Sequence, residues 1–463
     1  MPLNPRKVNP DIFREYDIRG VVGEDLTPAV VEDLGRACGT YFQERGVDRV
    51  LVGRDNRLSS EGFREALCRG LTYTGCRVLD IGLVVTPIFY FAGLHYGIRG
   101  GVMITASHNP PEFNGFKVAL GPGTLYGDQI QALRRLMEEG KFCRGQGSLE
   151  QADPVPAYLE TVCQRVTLGP RRLKVVVDCA NGTAGLFAPR LIESLGCEVD
   201  PIYCESDGRF PHHFPDPVKP ANLRYLIERV REVGADLGLS FDGDADRIGA
   251  VDEQGNIIWG DQLMILYWRE ILPRYPGATA IIEVKCSQAL VEEVERLGGK
   301  PFFYRTGHSL IKAKMKEIGA VFTGEMSGHM FFADEYYGFD DALYAAARLL
   351  RILSHTPAPL SRLLADVPRY YSTPEVRVDC PDREKFRVVE EVTRYFKERY
   401  PVVDVDGARV LFPRGWGLVR ASNTQPVLVV RCEAQTPEAL EEIKGIVGSK
   451  LGEFPSVGHI SWK

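Results

Sequence analysis

The sequence predicts an α/β protein with three topologically similar α/β domains, each built on a mixed, largely parallel sheet, followed by a smaller C-terminal α+β domain. Three observations carry this expectation. Short apolar runs alternate with helix-period segments as far as Val367-Pro368, the signature of βα units. Three stretches repeat one loose plan, with strands that end in loops dense in glycine and polar residues. Beyond Thr373-Pro374 the apolar runs are joined by turns, which reads as a mainly antiparallel sheet. At 463 residues the chain has room for about three to five domains.

In the first stretch, residues 49–53 read as a strand ending at Arg54-Asp55, with a helix over 60–73. A second strand, 101–105, runs into Ala106-Ser107-His108-Asn109-Pro110. In the second stretch, strand 173–177 ends at Asp178, and Ala180-Asn181-Gly182-Thr183 opens a helix. Its partner strand, 236–240, runs into Phe241-Asp242-Gly243-Asp244-Ala245-Asp246-Arg247. In the third, strand 278–282 ends at Glu283-Val284-Lys285, and 319–322 runs into Gly324-Glu325-Met326-Ser327-Gly328-His329. Parallel α/β sheets place ligands outside the carboxyl ends of their strands, so one shared site built from these loops is expected. A linker near 140–156, a tight turn at 252–255 and the prolines at 368 and 374 divide the chain into 1–150, 151–253, 254–367 and 368–463. The last part reads as strands 375–379, 408–412, 416–420 and 427–431, with helices over 383–400 and 437–451.

Composition narrows the function. The net charge of −6, from 56 Lys+Arg against 62 Asp+Glu, is weak and dispersed, which argues against a nucleic-acid or anionic-membrane partner. Eleven cysteines lie without C-x-x-C pairs or metal-like spacing and read as reduced core residues of a cytoplasmic protein. The N-terminus has no long apolar run of signal-peptide type. The uncharged stretch 81–98 sits at the lower edge of membrane-spanning length, but its glycines, proline and histidine read as a buried globular segment.

The strongest local signal is Asp242-Gly243-Asp244-Ala245-Asp246-Arg247. Three carboxylates spaced by small residues can converge on one hard cation, while Arg247 beside them suits a phosphoryl group. The competing readings are a calcium-binding EF-hand loop and a solvated acidic turn. Arg247 stands where the EF-hand needs glycine, and the flanks are strand-like. Ser107 sits at the tip of a loop that is as readily a plain turn, and Lys117 is near enough in sequence to share it. A Ser107-His108 hydrolase pair is not expected, because sequence neighbours rarely meet in that geometry. Glu325 with Ser327 could hold sugar hydroxyls or belong to a tight loop. Arg420-Ala421-Ser422-Asn423-Thr424-Gln425-Pro426 is a phosphate cradle or a turn. Lys285 and His308 follow strands and are site residues or ordinary loop residues. His212-His213 reads as part of a structural proline-rich loop rather than a metal site.

The four loops, in this order from Tyr16-Asp17-Ile18-Arg19-Gly20 to Arg420–Pro426, resemble the α-D-phosphohexomutase superfamily, most closely its bacterial phosphomannomutase/phosphoglucomutase branch. The resemblance implies three related α/β domains and a C-terminal domain around a central cleft. It implies a phosphorylated Ser107 that donates to the sugar, and Mg2+ held by Asp242, Asp244, Asp246 and the Ser107 phosphate. Arg247 would orient the phosphoryl group, Lys117 would exchange a proton with the attacking hydroxyl, and His308 and His329 would be accessory polar or acid–base groups. Glu325 and Ser327 would hold sugar hydroxyls. Arg420, Ser422, Asn423 and Thr424 would grip the substrate phosphate, helped by Tyr16, Arg19 and Lys285. The implied activity is reversible phosphoryl transfer between the 1- and 6-positions of mannose or glucose phosphates through a bisphosphorylated sugar. Glucose 1,6-bisphosphate, or its mannose equivalent, would be the activator. The implied partner is a small sugar phosphate, with the chain a monomer or weak homodimer. Phosphoglucosamine mutase is the alternative, but Met326 favours the mannose/glucose branch, since the glucosamine branch usually has Gln there. A non-catalytic sugar-phosphate binder and a phosphatase are the readings outside the mutases. His212-His213-Phe214 and Gln425 depart from the family's usual wording, which bears on fine specificity only.

Overall fold

The computed structural model describes residues 8–121, 123–423 and 425–462, and the chain forms two compact units: Met1–Tyr267 with Ser327–Leu363, and Trp268–Met326 with Leu364–Lys463. The first unit carries two mixed sheets. In one, the spatial order is Ile18–Val21, Phe113–Leu120, Gly100–Ile104, Arg49–Arg54, Arg77–Leu83 and Ser148–Gln151, with Gly123–Thr124 beside Phe113–Leu120. Its centre is parallel because helix Ser60–Tyr73 carries the chain from Arg49–Arg54 back to the start of Arg77–Leu83. Val50, Leu51 and Val52 are buried in succession, as expected of a strand covered on both faces. Helix Pro28–Gln43 lies against Ser60–Tyr73, its first turn set by Pro28 and by Thr27 Oγ1, which accepts from Val30 N at 3.3 Å.

The second sheet runs Ile257–Ile258, Ile248–Asp252, Leu237–Phe241, Lys174–Asp178, Glu198–Ile202, antiparallel in its first two pairings and parallel in its last two. Helix Arg224–Val233 buries Leu226 and Val230 against Val176 and Val251 of this sheet. The turn at 252–255 therefore lies inside one sheet, joining two of its antiparallel strands.

In the second unit, strands Lys300–Tyr304, Thr279–Glu283 and Phe322–Gly324 are parallel, with helices Gln288–Arg296 and His308–Ile318 as crossovers. The C-terminal sheet is antiparallel throughout, in the order Tyr371–Ser372, Val427–Ala434, Gly415–Ala421, Ala408–Phe412, Val402–Val403, with Val376–Asp379 also on Val427–Ala434. Helices Asp382–Lys397 and Pro437–Leu451 turn Val388, Val392, Phe396, Ile443 and Val447 into its core. Three α/β sheets and a C-terminal α+β sheet are the fold class expected.

Two local expectations fail for backbone reasons. The strand expected over 319–322 begins only at Phe322, because Gly319, at φ +67°, closes helix His308–Ile318 with its N–H on Met315 O. Ala180 and Asn181 do not open a helix directly: both have positive φ, of 46° and 58°, and a 3-10 turn, Thr183–Leu186, intervenes before helix Ala188–Ser194. The uncharged stretch 81–98 holds helix Thr86–His95, and among the described residues no helix is long and apolar enough to cross a membrane. All eleven cysteines are free thiols.

Helix Ala342–Ser354 starts at a buried carboxylate. Asp341 caps it by accepting from Tyr344 N at 2.8 Å, and also accepts from Tyr158 Oη at 3.0 Å and Tyr336 Oη at 2.9 Å. Burial pushes the Asp341 carboxyl up to about 6 despite these donors. A carboxyl whose folded pKa lies above its unfolded value contributes stability that is complete below about pH 4 and is lost as pH rises through about 6. Asp341→Asn should remove that dependence. Between pH 4 and pH 7.5, thermal unfolding of the parent chain should lose about 3 kcal/mol relative to the variant; parallel curves would disprove the shift.

Candidate active site

Two loops of the first unit meet at Ser107. Residue 107 follows strand Gly100–Ile104 and adopts φ 50°, a left-handed conformation uncommon for a non-glycine residue. Ser107 N donates to Thr105 Oγ1 at 2.9 Å, and Ser107 Oγ donates to Asp242 Oδ2 at 2.6 Å. The Asp242 loop comes this close because position 243 is glycine. A Cβ on Gly243 would sit 2.4 Å from the Ser107 carbonyl oxygen.

The serine loop is held from beneath by Arg57, which sequence reasoning did not single out. Its side chain is fully buried, and its guanidinium donates to the carbonyls of Ser107 (2.8 Å), Asn109 (2.7 Å), Pro110 (2.7 Å) and Phe113 (3.0 Å). Asp55, at the end of strand Arg49–Arg54, neutralises it at 3.1 Å and accepts from Ser60 Oγ. The available signal was an Asp-x-Arg immediately after a buried strand, where a parallel sheet presents its ligand loops.

Asp242, Asp244 and Asp246 are all buried and offer one oxygen each within 4.8 Å of the others. Asp242 Oδ1 accepts from Asp246 N at 3.0 Å and Arg247 N at 3.1 Å, which curls the loop so that the carboxylates face inward. Lys117 Nζ donates to Asp244 Oδ2 at 2.8 Å and to Asp246 Oδ2. Thr86 Oγ1, another residue missed from sequence, donates to Asp244 Oδ2 at 2.5 Å. His329 Nε2 lies 3.2 Å from Asp246 Oδ1, and its Nδ1 is 3.0 Å from Ser327 Oγ. Burial and the two neighbouring carboxylates push Asp242 well above the usual carboxylate range. Burial also raises Asp246, but Lys117 and His329 outweigh it and hold that carboxyl well below the usual range. Three buried carboxylates around one lysine leave excess negative charge, and among the described residues Asp244 Oδ1 has no hydrogen-bond partner. An all-oxygen donor set of this kind fits a hard divalent cation such as Mg2+.

Other neighbours bear on Ser107. His108 Nδ1 is 3.0 Å from Ser107 Oγ, so these sequence neighbours do meet, contrary to expectation. Burial, then the Arg247 and Arg19 cations, push the His108 imidazole well below its ordinary range and keep it neutral. Arg19 Nη1 donates to Asn109 Oδ1 at 2.6 Å and its Nη2 to Asp17, which places Arg19 on the serine loop. Tyr16 is half-buried just before it. Asp340 joins Asp246 and His329 in a second buried group of metal-ligating side chains.

The second unit gathers the remaining predicted residues except Thr424, which lies outside the described residues. Lys285 Nζ is 3.1 Å from Glu375 Oε2 and 3.5 Å from Glu283 Oε1. Lys285 ammonium holds the Glu375 carboxyl down to about 2 against its burial, and burial raises Glu283. Glu325 Oε1 accepts from Gly307 N at 2.7 Å, immediately before the buried His308. Arg420 Nε donates to Asp406 Oδ2 at 2.9 Å, and Thr306 N donates to the same oxygen at 3.0 Å. Ser422 Oγ accepts from Gln425 N at 3.2 Å, and the half-buried Asn423 follows it in the turn. Arg409 Nη1 donates to the carbonyls of Val284 and Cys286 at 2.7 Å, and Arg431 Nη1 to that of Lys285 at 2.5 Å, so the C-terminal sheet clamps the Lys285 loop.

A buried serine hydroxyl aimed at a cation-ready carboxylate trio, with lysine and arginine alongside, is the equipment of a phosphoryl-transfer enzyme. Four successive segments match the models of one family, phosphoglucomutase/phosphomannomutase: its α/β/α domain I over residues 10–144, domain II over 156–255, domain III over 259–371, and the C-terminal domain over 375–447. The chain belongs to the phosphoglucomutase/phosphomannomutase family. It is 48% identical over 441 residues to a protein named phosphomannomutase/phosphoglucomutase from Pseudomonas aeruginosa, covering 95% of each chain. It is 44% identical over 457 residues to a phosphoglucomutase of Neisseria gonorrhoeae, covering 98% of each. A solved structure of a phosphoglucomutase/phosphomannomutase family protein from Burkholderia thailandensis superposes with TM-score 0.92 at 41% identity, covering 98% of this chain and 100% of that one.

Gly243→Ala tests the loop contact. A Cβ facing the Ser107 carbonyl at 2.4 Å must push the two loops apart, so overpacking should destabilise the chain by about 1–3 kcal/mol. Gly445→Ala, in helix Pro437–Leu451 with open space around it, should be neutral or stabilising. Equal melting temperatures for the two variants would remove the steric constraint at Gly243.

Proposed function

We propose that this isomerase is a reversible mutase that moves a phosphoryl group between the 1- and 6-positions of mannose and glucose phosphates. It acts through phosphoserine at Ser107 and a bisphosphorylated sugar. The observation that carries this reading is the 2.6 Å contact of Ser107 Oγ with Asp242 inside the buried carboxylate trio. Asp242, Asp244 and Asp246 would hold Mg2+, which when bound neutralises charge on the phosphoryl oxygens. Phosphoryl transfer asks mainly for positioning and charge compensation. Arg57 fixes the Ser107 backbone, and Arg247, anchored through its own N–H to Asp242, orients the phosphoryl group. As the sugar oxygen bonds to phosphorus, the bond from phosphorus to Ser107 Oγ breaks. Lys117 Nζ exchanges the proton of the attacking hydroxyl, with His329 and His308 as accessory groups.

Glu325 and Ser327 are assigned to sugar hydroxyls. Arg420, Ser422, Asn423 and Thr424 are assigned to the phosphate that does not react, with Lys285, Tyr16 and Arg19 as further substrate contacts. One fixed phosphate cradle and one fixed donor site serve both half-reactions if the bisphosphate binds in two orientations. Contacts to hydroxyls shared by both orientations leave the C2 configuration unread, which is why both mannose and glucose are accepted. Glucose 1,6-bisphosphate, or its mannose equivalent, would load Ser107 as activator. The assignment extends to a cytoplasmic monomer or weak homodimer without nucleic-acid or membrane partners, divided as expected near 150 and 367 but with the second boundary moved from 253 to beyond strand Ile257–Ile258, which belongs to the Leu237–Phe241 sheet.

Mass spectrometry of the purified protein should find phosphate on Ser107. Ser107→Ala should lower turnover of mannose and glucose 1-phosphates by about 10³-fold or more while substrate binding remains measurable. Full activity in that variant, or a preference for glucosamine 1-phosphate, would reject the reading. Arg420→Ala should raise KM by on the order of tenfold to a hundredfold, the worth of a lost charged hydrogen bond, with kcat changed less. An unchanged KM would take this loop out of the site.

A further inference from the structure

We propose that Cys179 and Cys204 are a modification site, a thiol pair that a peroxide converts reversibly into a disulfide at the edge of the phosphoryl-transfer centre. Strands Lys174–Asp178 and Glu198–Ile202 run parallel with Asp178 opposite Ile202, so the residues just beyond their carboxyl ends are neighbours. There the Cys204 and Cys179 sulfurs lie 3.4 Å apart. Cys179 is fully buried, whereas Cys204 is half-buried and so the more accessible residue of the two. Burial, then the neighbouring Cys204 sulfur, push the Cys179 thiol well up, which makes Cys204 the first to react and Cys179 the resolving partner. The backbone here is already strained. Ala180, Asn181 and Tyr203, all non-glycine, hold positive φ of 46°, 58° and 49°.

The chemistry balances with hydrogen peroxide as the oxidant. Cys204 sulfur attacks one peroxide oxygen, the O–O bond breaks, and the thiol becomes a sulfenic acid as the other oxygen leaves as water. Cys179 sulfur then displaces the sulfenic hydroxyl, which leaves as a second water with the Cys179 proton. Two thiols lose two electrons and the peroxide gains them.

The pair is wired to the metal loop. Cys179 O accepts from Gly182 N at 2.6 Å, and the next residue, Thr183, donates its N–H to Gly243 O at 3.0 Å. Gly243 in turn lies against the Ser107 carbonyl. A disulfide needs its sulfurs at about 2.05 Å, so they must close by about 1.4 Å. Rotation of the two side chains can supply part of that movement, and on the Cys204 side Gly185 packs closely on the carbonyl, where an added Cβ would sit 2.1 Å away. Any remaining closure falls on the Cys179 turn, whose Gly182 and Thr183 lead to Gly243. Where about 1 Å of that closure reaches the Asp242 loop, turnover falls by up to on the order of a hundredfold.

The test treats the full-length, Mg2+-loaded protein with hydrogen peroxide and maps its peptides. The expected result is a peptide pair joined through Cys179 and Cys204 that dithiothreitol releases. Turnover should fall on the order of tenfold in the parent chain and recover with the reductant, while Cys204→Ser keeps its activity through the same treatment. Cys179→Ala is the second variant should Cys204→Ser fold poorly. The turnover half rests on the proposed mutase activity, whereas the joined peptide stands independently of it. Oxidation of other cysteines without this cross-link, or equal inhibition of Cys204→Ser, overturns the proposal.

Discussion

The approach of the Ser107 carbonyl to Gly243 is the constraint on which the active centre depends. It brings the ends of two different sheets within hydrogen-bonding reach, so that the Ser107 hydroxyl can donate to Asp242 at 2.6 Å. A side chain at position 243 would occupy the space through which the two loops touch. The small residues between the aspartates thus do two jobs: they let the loop curl so that the carboxylates converge, and they let that loop reach the serine. Ala245, at φ 56°, takes part of the same curl, and its carbonyl accepts from Ala342 N at 3.1 Å. The first turn of the Asp341-capped helix is thereby tied to the metal loop.

Charge arrangement follows from this contact. Burying three carboxylates together is unfavourable unless cations and donors answer them. Lys117, His329, Thr86 and the backbone N–H groups of 246 and 247 do so in part, and the remaining demand is what a divalent cation satisfies. The second unit shows a related economy. Lys285 and Arg420 are paired with Glu375 and Asp406, which keeps each cation ordered. Arg57, Arg409 and Arg431 work differently, gripping backbone carbonyls and fixing loops rather than ligands. Arg57 commits both Nη atoms, and Arg409 and Arg431 their Nη1 atoms, to these carbonyls, which stiffens the loops they hold.

Local sequence signals were strong where one chemical rule dominated. The helices Ser60–Tyr73 and Pro437–Leu451 and the strand Ala408–Phe412 begin and end where periodicity and turn residues place them, because each has a clear apolar face and an unambiguous stop. The strand over 319–322 failed because an apolar run containing glycine is ambiguous between a strand start and a helix end, and the left-handed backbone at Gly319 decided for the helix. The helix start expected at 180–183 failed similarly, since positive φ at a non-glycine residue is imposed by surrounding contacts and leaves little trace in composition.

By itself the sequence determined the order of α/β units, the antiparallel C-terminal part, the acidic loop with its small spacers, and the serine at the end of a buried strand, since these are set by periodicity and residue chemistry within short windows. Only the tertiary structure decided that Ser107 faces Asp242, that Lys117 and His329 share Asp246, that Arg57 underlies the serine loop, and that Ser107 and His108 side chains meet. These pairings join residues far apart in the chain or depend on one unusual φ angle. Such geometry is settled by how sheets and loops pack, and no local window of the sequence contains it.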